Sequence, residues 1–207
     1  MLPVMALWLV DTLALFRHAE PVGEPVQRKT YAEYLAAERD ATIKHEFVDG
    51  QIVAMAGGTP EHARLAANVV AALVSALRGR RCGVFSSDLR VHIPATGRST
   101  YPDVTVVCDE KQTADIDEDA IINPVVIVEI LSPTTEASDR GEKFAHYRRL
   151  EALQEYVLVS QDQPRVEVYR REGDVWALRD YGPGQDVALA SLDVQLATGD
   201  IYADPLA

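Results

Sequence analysis

A wide apolar stripe at helical spacing predicts the main core helix of the chain. The stripe contains Leu65, Ala66, Val69, Val70, Leu73, Val74 and Leu77, which recur at the three- and four-residue intervals of one helix face. Thr59 suits an N-cap, Pro60 suits the first turn, and Gly79 stands where a C-terminal cap belongs. A shorter helix begins at a capping box, Thr30-Tyr31-Ala32-Glu33, and runs to about Arg39.

Shorter apolar runs predict a set of β-strands. Asp49-Gly50 between two such runs is a strong hairpin signal. The predicted strands are residues 45–48, 51–55, 84–93, 103–108, 125–131, 156–160, 165–170 and 175–181. The last two flank Glu172-Gly173-Asp174 and predict a C-terminal β-hairpin at the sheet edge. The acid-rich segment 111–119 predicts a surface loop.

The order of these elements predicts an α/β fold with a mixed β-sheet flanked by helices. Residues 125–131 are almost wholly apolar, which is typical of a central strand covered on both faces. A helical pattern over residues 139–150 and the strand at 156–160 follow it, so a right-handed parallel crossover is expected. We expect a single domain over residues 30–207, preceded by an apolar segment and linker over residues 1–29.

Composition narrows the class of protein. With 207 residues, 47% of them hydrophobic, the chain can bury one sizeable core. Its formal net charge of −12 excludes a protein that coats nucleic acid through its overall field, so any such contact must be local. Residues 1–16 are apolar but are interrupted by Asp11, lack a basic start and are too short to span a bilayer, so we expect no export signal and no membrane partner.

Cys82 and Cys108 have no CxxC spacing. We interpret them as buried thiols in a reducing cytoplasm rather than as a disulfide or a zinc site.

Glu129 is the most conspicuous polar residue, because it lies in the middle of the apolar run VVIVEIL. A carboxylate buried there costs several kcal/mol unless it is paired or bound to a metal. Tyr101-Pro102-Asp103 opens the preceding predicted strand, and Lys143 follows on the next predicted helix. Two carboxylates within reach of one divalent ion, accompanied by an ammonium, form a set suited to metal-assisted phosphodiester hydrolysis.

The same elements resemble a known family. The segments KHEFVDGQIVAMAG, TPEHARLAANVVAAL, YPDVTVV, VVIVEILSPTTEASDRGEKFAHYRR and EYVLVS, in this order, are similar to the Uma family of predicted restriction endonucleases in the PD-(D/E)xK superfamily. The similarity covers residues 31–181 approximately. It implies a restriction-endonuclease-like fold and an Mg²⁺- or Mn²⁺-dependent enzyme that cleaves DNA, with a homodimer expected because duplex cleavage needs two sites.

The resemblance also implies residue roles. Asp103 and Glu129 match the family's acidic pair and would hold the metal with a backbone carbonyl, that of Ile130. The superfamily's usual lysine position is occupied here by Leu131, so Lys143 on the following helix is the expected substitute. Glu46 matches a further acidic position, which would bind a second metal or orient a water.

Other interpretations stay open. Glu129 and Lys143 would form a structural ion pair in an inactive relative, and the fold would then serve as a non-catalytic interaction module. The substrate would alternatively be RNA or a nucleotide. His62 matches a family histidine and would line the cleft, or serve in capping or packing. A serine hydrolase using Ser132 and His146 is disfavoured, because nothing like a nucleophile elbow surrounds Ser132.

Overall fold

The computed structural model of the chain describes residues 27–55 and 57–207. The apolar segment expected at the N-terminus therefore lies, apart from its last residues, outside the described residues. The helices are α1 (Tyr31–Arg39), α2 (Pro60–Ala76), α3 (Glu136–Ser138), α4 (Phe144–Tyr147) and α5 (Thr198–Ile201). A π-helical turn over Asp139–Lys143 joins α3 to α4, so residues 136–147 form one continuous helical segment.

The predicted helix starts are confirmed. Thr30 and Glu33 form a reciprocal capping box at the start of α1. Thr59 caps α2 by accepting from the backbone N–H of His62, and Pro60 occupies the first turn. These contacts satisfy donors that have no partner inside a helix.

The sheet that contains Glu129, the site-bearing sheet, has both parallel and antiparallel strands, as predicted. Its strands are β3 (Cys82–Ser86), β6 (Val104–Cys108), β9 (Val126–Ile130), β10 (Glu155–Val159), β11 (Val166–Glu172) and β12 (Val175–Tyr181). They are arranged in the order β12-β11-β10-β9-β6-β3. β9 is central, parallel to β10 and antiparallel to β6. The parallel pairing expected of the crossover is present between β9 and β10, and the predicted C-terminal hairpin, β11 with β12 at the sheet edge, is confirmed.

Six further strands form a second sheet. It contains β1 (His45–Val48), β2 (Gln51–Ala54), β4 (Arg90–Ile93), β5 (Arg98–Thr100), β7 (Thr113–Ala114) and β8 (Asp117–Ile121). Their order is β2-β1-β5-β4-β8-β7. The hairpin turn between β1 and β2 has positive φ at Asp49 and Gly50, which an Asp-Gly type I′ turn requires. A small pair, β13 (Asp186–Leu189) and β14 (Val194–Ala197), precedes α5.

Two sequence interpretations were wrong in this region. Residues 84–93 do not form one strand: β3 and β4 belong to different sheets and are separated by a turn. Residues 111–119 are not simply a surface loop, because β7 and part of β8 lie there. Asp117 is buried, and its carboxylate forms a bidentate ion pair with Arg90. The ion pair compensates the cost of burying this carboxylate, which in an acid-rich segment would otherwise be expected to face water.

The interpretation of the cysteines as free thiols was also wrong. Cys82 and Cys108 are directly opposite each other in the register of β3 and β6, and their sulfurs form a disulfide. The two residues lie at the same end of neighbouring strands, a proximity that spacing along the chain does not reveal. Both are partly buried against the core.

The two faces of the site-bearing sheet carry two separate apolar cores. On one face Leu65, Val69 and Leu73 of α2 pack against alternate residues of the strands, including Val128 and Ile130. On the other face the aromatic residues of the 136–147 segment pack against Ile127, Leu131 and Leu158, among others. Because successive strand residues point to opposite faces, Glu129 projects to the second face, under the helical segment.

Candidate active site

Asp103 and Glu129 lie on neighbouring antiparallel strands. β6 and β9 pair Val104 with Val128, Thr105 with Ile127 and Val106 with Val126. Continuing this register by one residue places Asp103 opposite Glu129, and residues directly opposite each other in an antiparallel pair share a face. The pairing of β6 with β9 therefore places the two acids at neighbouring positions of adjacent strands.

Asp103 is held by two groups at one of its carboxylate oxygens. The backbone N–H of Ile130 donates to Asp103 Oδ2 over 2.7 Å, and His62 Nε2 lies 3.1 Å from the same oxygen. That hydrogen bond raises the pKa of His62 above its ordinary value, against the opposing effect of burial. Gly58 leaves room for the ring, since a Cβ there would stand 2.8 Å from His62 Nδ1. His62 thus contacts the site in addition to lying in the first turn of α2.

Glu129 is 3% exposed and is contacted by two donors. Lys143 Nζ lies 3.3 Å from its Oε1, and the Tyr147 hydroxyl donates to the same oxygen over 2.8 Å. Burial raises the pKa of Glu129 to about 8, with the charges of Asp103 and Asp139 acting in the same direction and that of Lys143 opposing them. Glu129 is therefore a carboxylate whose charged form lacks sufficient compensation from the protein alone.

Lys143 lies among three carboxylates. Its Nζ is 2.9 Å from Asp139 Oδ1, 3.3 Å from Glu129 Oε1 and 3.8 Å from Glu46 Oε1. Burial alone would lower the pKa of Lys143, but the three acids outweigh it and raise that pKa above its ordinary value. The ammonium is consequently charged at neutral pH.

Glu46 reaches the same cluster from the other sheet. It lies on β1, and its carboxylate accepts from Thr100 Oγ1 and, over 3.2 Å, from Arg98 Nη2. Arg98 also donates to Glu142 over 2.8 Å, so it links β1 to the helical segment above the site. Glu46 is buried, although it lies on a hairpin strand.

Ile130 and Leu131 follow Glu129 with different orientations. Leu131 N donates to Val159 O of β10, so the peptide groups of Ile130 point the other way, toward the end of β6. The N–H of Ile130 meets Asp103 there, and its carbonyl lies on the same side of the strand as its N–H. Leu131 is 4% exposed and packs in the aromatic core, so no cationic side chain occupies that position.

The acidic cluster offers oxygen donors of the kind that a divalent metal needs. Within residues 27–55 and 57–207, no group of three His, Cys, Asp or Glu side chains is arranged to hold a metal ion. A site here would instead combine the carboxylates of Asp103 and Glu129 with a backbone carbonyl, which is an all-oxygen set suited to Mg²⁺ or Mn²⁺. The residues fit such an ion.

Two residues that contact the cluster were not predicted as site residues from the sequence. Asp139 and Tyr147 both contact the cluster, and they stand four residues before and four residues after Lys143. Residues four apart on a helix share a face. The four-residue spacing of Asp139, Lys143 and Tyr147 is therefore the sequence signal that indicates both residues.

The arginines near the ends of α2 and α4 differ in their contacts. Arg80 donates to the backbone carbonyls of Leu192 and Asp193. Arg81 lies 3.8 Å from Asp109 in an exposed pair. Arg148 and Arg149 remain exposed at the end of α4.

Comparison with known proteins places the chain in a class. The family model Uma2, described as "Putative restriction endonuclease", matches residues 31–199. The chain belongs to this family, and the fold described above is that of the class.

Two relatives come from Synechocystis sp. (strain ATCC 27184 / PCC 6803 / Kazusa). "Uncharacterized protein slr1290" is 35% identical over 185 residues, covering 89% of this chain and 96% of the relative. "Uncharacterized protein sll1609" is 39% identical over 145 residues, covering 70% of this chain and 82% of the relative.

A solved structure shares the fold. It is described as "a putative nuclease belonging to DUF820 from Anabaena variabilis ATCC 29413" and superposes with a TM-score of 0.68 at 21% identity, covering 83% of this chain and 96% of that one. Separately, no helix in the described part of the chain is long and apolar enough to cross a membrane.

Proposed function

We propose that the protein is a divalent-metal-dependent endonuclease that hydrolyses phosphodiester bonds of DNA. The observation that carries this proposal is the position of the Lys143 ammonium, 3.3 Å from a buried Glu129 that stands opposite Asp103. Asp103, Glu129 and the carbonyl of Ile130 would hold Mg²⁺ or Mn²⁺. Such an ion supplies Lewis-acid stabilisation of the negative charge that develops on the phosphate during hydrolysis.

The chain's own residues would divide the remaining tasks. Lys143 is charged at neutral pH, so its role is to donate hydrogen bonds that orient the attacking water rather than to remove a proton from it. Tyr147, whose pKa burial raises well above its ordinary value, remains protonated and fixes Glu129. His62 and the Ile130 N–H fix one oxygen of Asp103, which leaves the other to face a cation. Glu46 would orient a water or a second ion from β1.

DNA is proposed as the substrate on the basis of family membership and of local positive charge. Arg148 and Arg149 at the end of α4 are exposed and close in sequence to Lys143, and they would supply local positive charge against the net charge of −12. Binding through so few cations would be weak and sensitive to salt. We further propose a homodimer, since cleavage of both strands of a duplex requires two such sites.

The test is cleavage of supercoiled plasmid by purified protein with Mn²⁺ and with EDTA. We expect nicking that requires the metal and disappears in Asp103→Ala and Glu129→Ala while both variants remain folded. Single-stranded DNA and RNA in the same assay separate the substrate classes. Equal nicking by wild type and both variants would identify a contaminating nuclease and contradict the proposal.

A further inference from the structure

Asp139 is a buried carboxylate for which the hydrolytic scheme above has no role. It is 1% exposed and stands at the start of the π-helical turn. Its backbone carbonyl accepts from the Tyr156 hydroxyl over 2.9 Å, which ties this part of the helix to β10. Its carboxylate contacts Lys143 over 2.9 Å, a shorter distance than those from Lys143 to Glu129 and Glu46.

The helix geometry aligns Asp139 with the site. In a regular α-helix, side chains four residues apart drift by about 40° around the axis at each step. The π-helical turn between Asp139 and Lys143 takes up an extra residue per turn and so opposes that drift. Asp139, Lys143 and Tyr147 consequently project to the same buried cluster. π-helical turns within α-helices are frequent at functional sites.

The need for Asp139 follows from the charges around Lys143. A divalent ion between Asp103 and Glu129 would repel the ammonium and would compete with it for Glu129. Of the other two acids near Lys143, Glu46 is 3.8 Å away and is already bound by Arg98. Asp139 is the acid whose contact with Lys143 would survive metal binding.

We propose that Asp139 is a positioning residue that holds the Lys143 ammonium at the hydrolytic site. The inference rests on the proposed function, because Lys143 acts on the substrate only if the site is hydrolytic. Asp139 itself touches neither the substrate nor the metal. It acts through Lys143.

The experiment compares Asp139→Asn and Asp139→Glu with wild type in three measurements. Lysine acetylation by acetic anhydride, read by peptide mass spectrometry, reports how well Lys143 is shielded relative to the exposed Lys111. Calorimetry with Mn²⁺ reports metal affinity, and plasmid nicking reports kcat and KM. Glu136→Gln is the matched control, because Glu136 pairs with Arg140 four residues later on the same helical segment, over 2.7 Å.

Asp139→Asn should raise the acetylation of Lys143 several-fold, leave Mn²⁺ affinity unchanged and lower kcat about 10- to 100-fold with little change in KM. Asp139→Glu should restore part of both the shielding and kcat, and it keeps the test open if Asp139→Asn does not fold. Glu136→Gln should behave as wild type.

Unchanged acetylation and unchanged kcat in Asp139→Asn would overturn the inference. A loss of Mn²⁺ affinity would also overturn it, by making Asp139 a metal ligand. The proposed function fails separately: if wild type cleaves no nucleic acid but acetylation of Lys143 still rises in Asp139→Asn, the contact holds Lys143 without a hydrolytic purpose.

Discussion

The Lys143 ammonium lies 3.3 Å from Glu129 Oε1, in a contact between a central strand and the helical segment that covers it. Both side chains are largely removed from water. Desolvation of the two charges offsets much of their attraction, so the contact is weak evidence for stability. Its position next to Asp103 instead suits a functional role.

The raised pKa of Glu129 predicts a specific pH dependence of stability in the metal-free protein. The pKa of a glutamate in an unfolded chain is about 4.3, whereas burial raises the pKa of Glu129 in the fold to about 8. Protonation of Glu129 therefore favours the folded state, and this contribution is lost as pH rises toward about 8.

Glu129→Gln cannot ionise and should gain stability relative to wild type between mildly acidic and alkaline pH. The gain should increase as pH rises toward about 8, and urea unfolding across that range measures it. The exposed Glu110→Gln serves as the control. Identical pH profiles for wild type and Glu129→Gln would contradict the assignment.

Lys143→Met should lower the rate of plasmid nicking by about 100-fold or more, since it removes the donor that orients the water. Adding Leu131→Lys should recover part of the rate, because residue 131 lies two positions after Glu129 and faces the same side of β9. Initial rates at saturating Mn²⁺ measure both effects. Full activity of Lys143→Met would remove Lys143 from the mechanism.

Arg148 and Arg149 should contribute to the salt dependence of DNA binding. Each substitution to Ala should reduce the slope of log affinity against log salt concentration by about 1 if the residue contacts a phosphate. Arg80→Ala should leave that slope unchanged and lower the melting temperature, because Arg80 is bonded to backbone carbonyls between β13 and β14. Fluorescence anisotropy over a salt series measures the slopes, and the opposite pattern would relocate the DNA-binding surface.

The disulfide should stabilise the fold when it is formed. It closes a loop across a sequence separation of 26 residues, for which chain-entropy estimates give about 3–4 kcal/mol. The melting temperature should fall on reduction, while Cys82→Ser should be insensitive to reductant. A wild-type melting temperature that is the same with and without reductant would show that the thiols are not joined in solution.

The sequence predicted the elements that carry strong local signals. The capping box of α1, the Asp-Gly hairpin and the apolar run around Glu129 each determine structure within a few residues, and all three are present in the fold. The second sheet was missed because β5, β7 and β8 are short and polar and are stabilised by long-range pairing rather than by local pattern. The ion pair of Arg90 on β4 with Asp117 on β8 is an example of such a long-range contact.

The sequence predicted only some of the residues of the candidate site, for a similar reason. Asp103, Glu129 and Lys143 stand out by motif or by burial, and their relative placement follows from strand order. Asp139 lies in a segment rich in charged residues, where an acid is ordinarily a solvated one. Its burial depends on the π-helical turn, which no local pattern indicated.

Titration calorimetry of Mn²⁺ into wild type and Asp103→Ala tests the central claim most directly. We expect one metal site per chain in wild type and no measurable binding in Asp103→Ala, with the variant melting as a folded protein. Asp109→Ala, which alters an exposed acid that lies 3.8 Å from Arg81, should bind as wild type does. Equal Mn²⁺ binding by wild type and Asp103→Ala, or no binding by either, would contradict a metal-dependent hydrolytic site at Asp103 and Glu129.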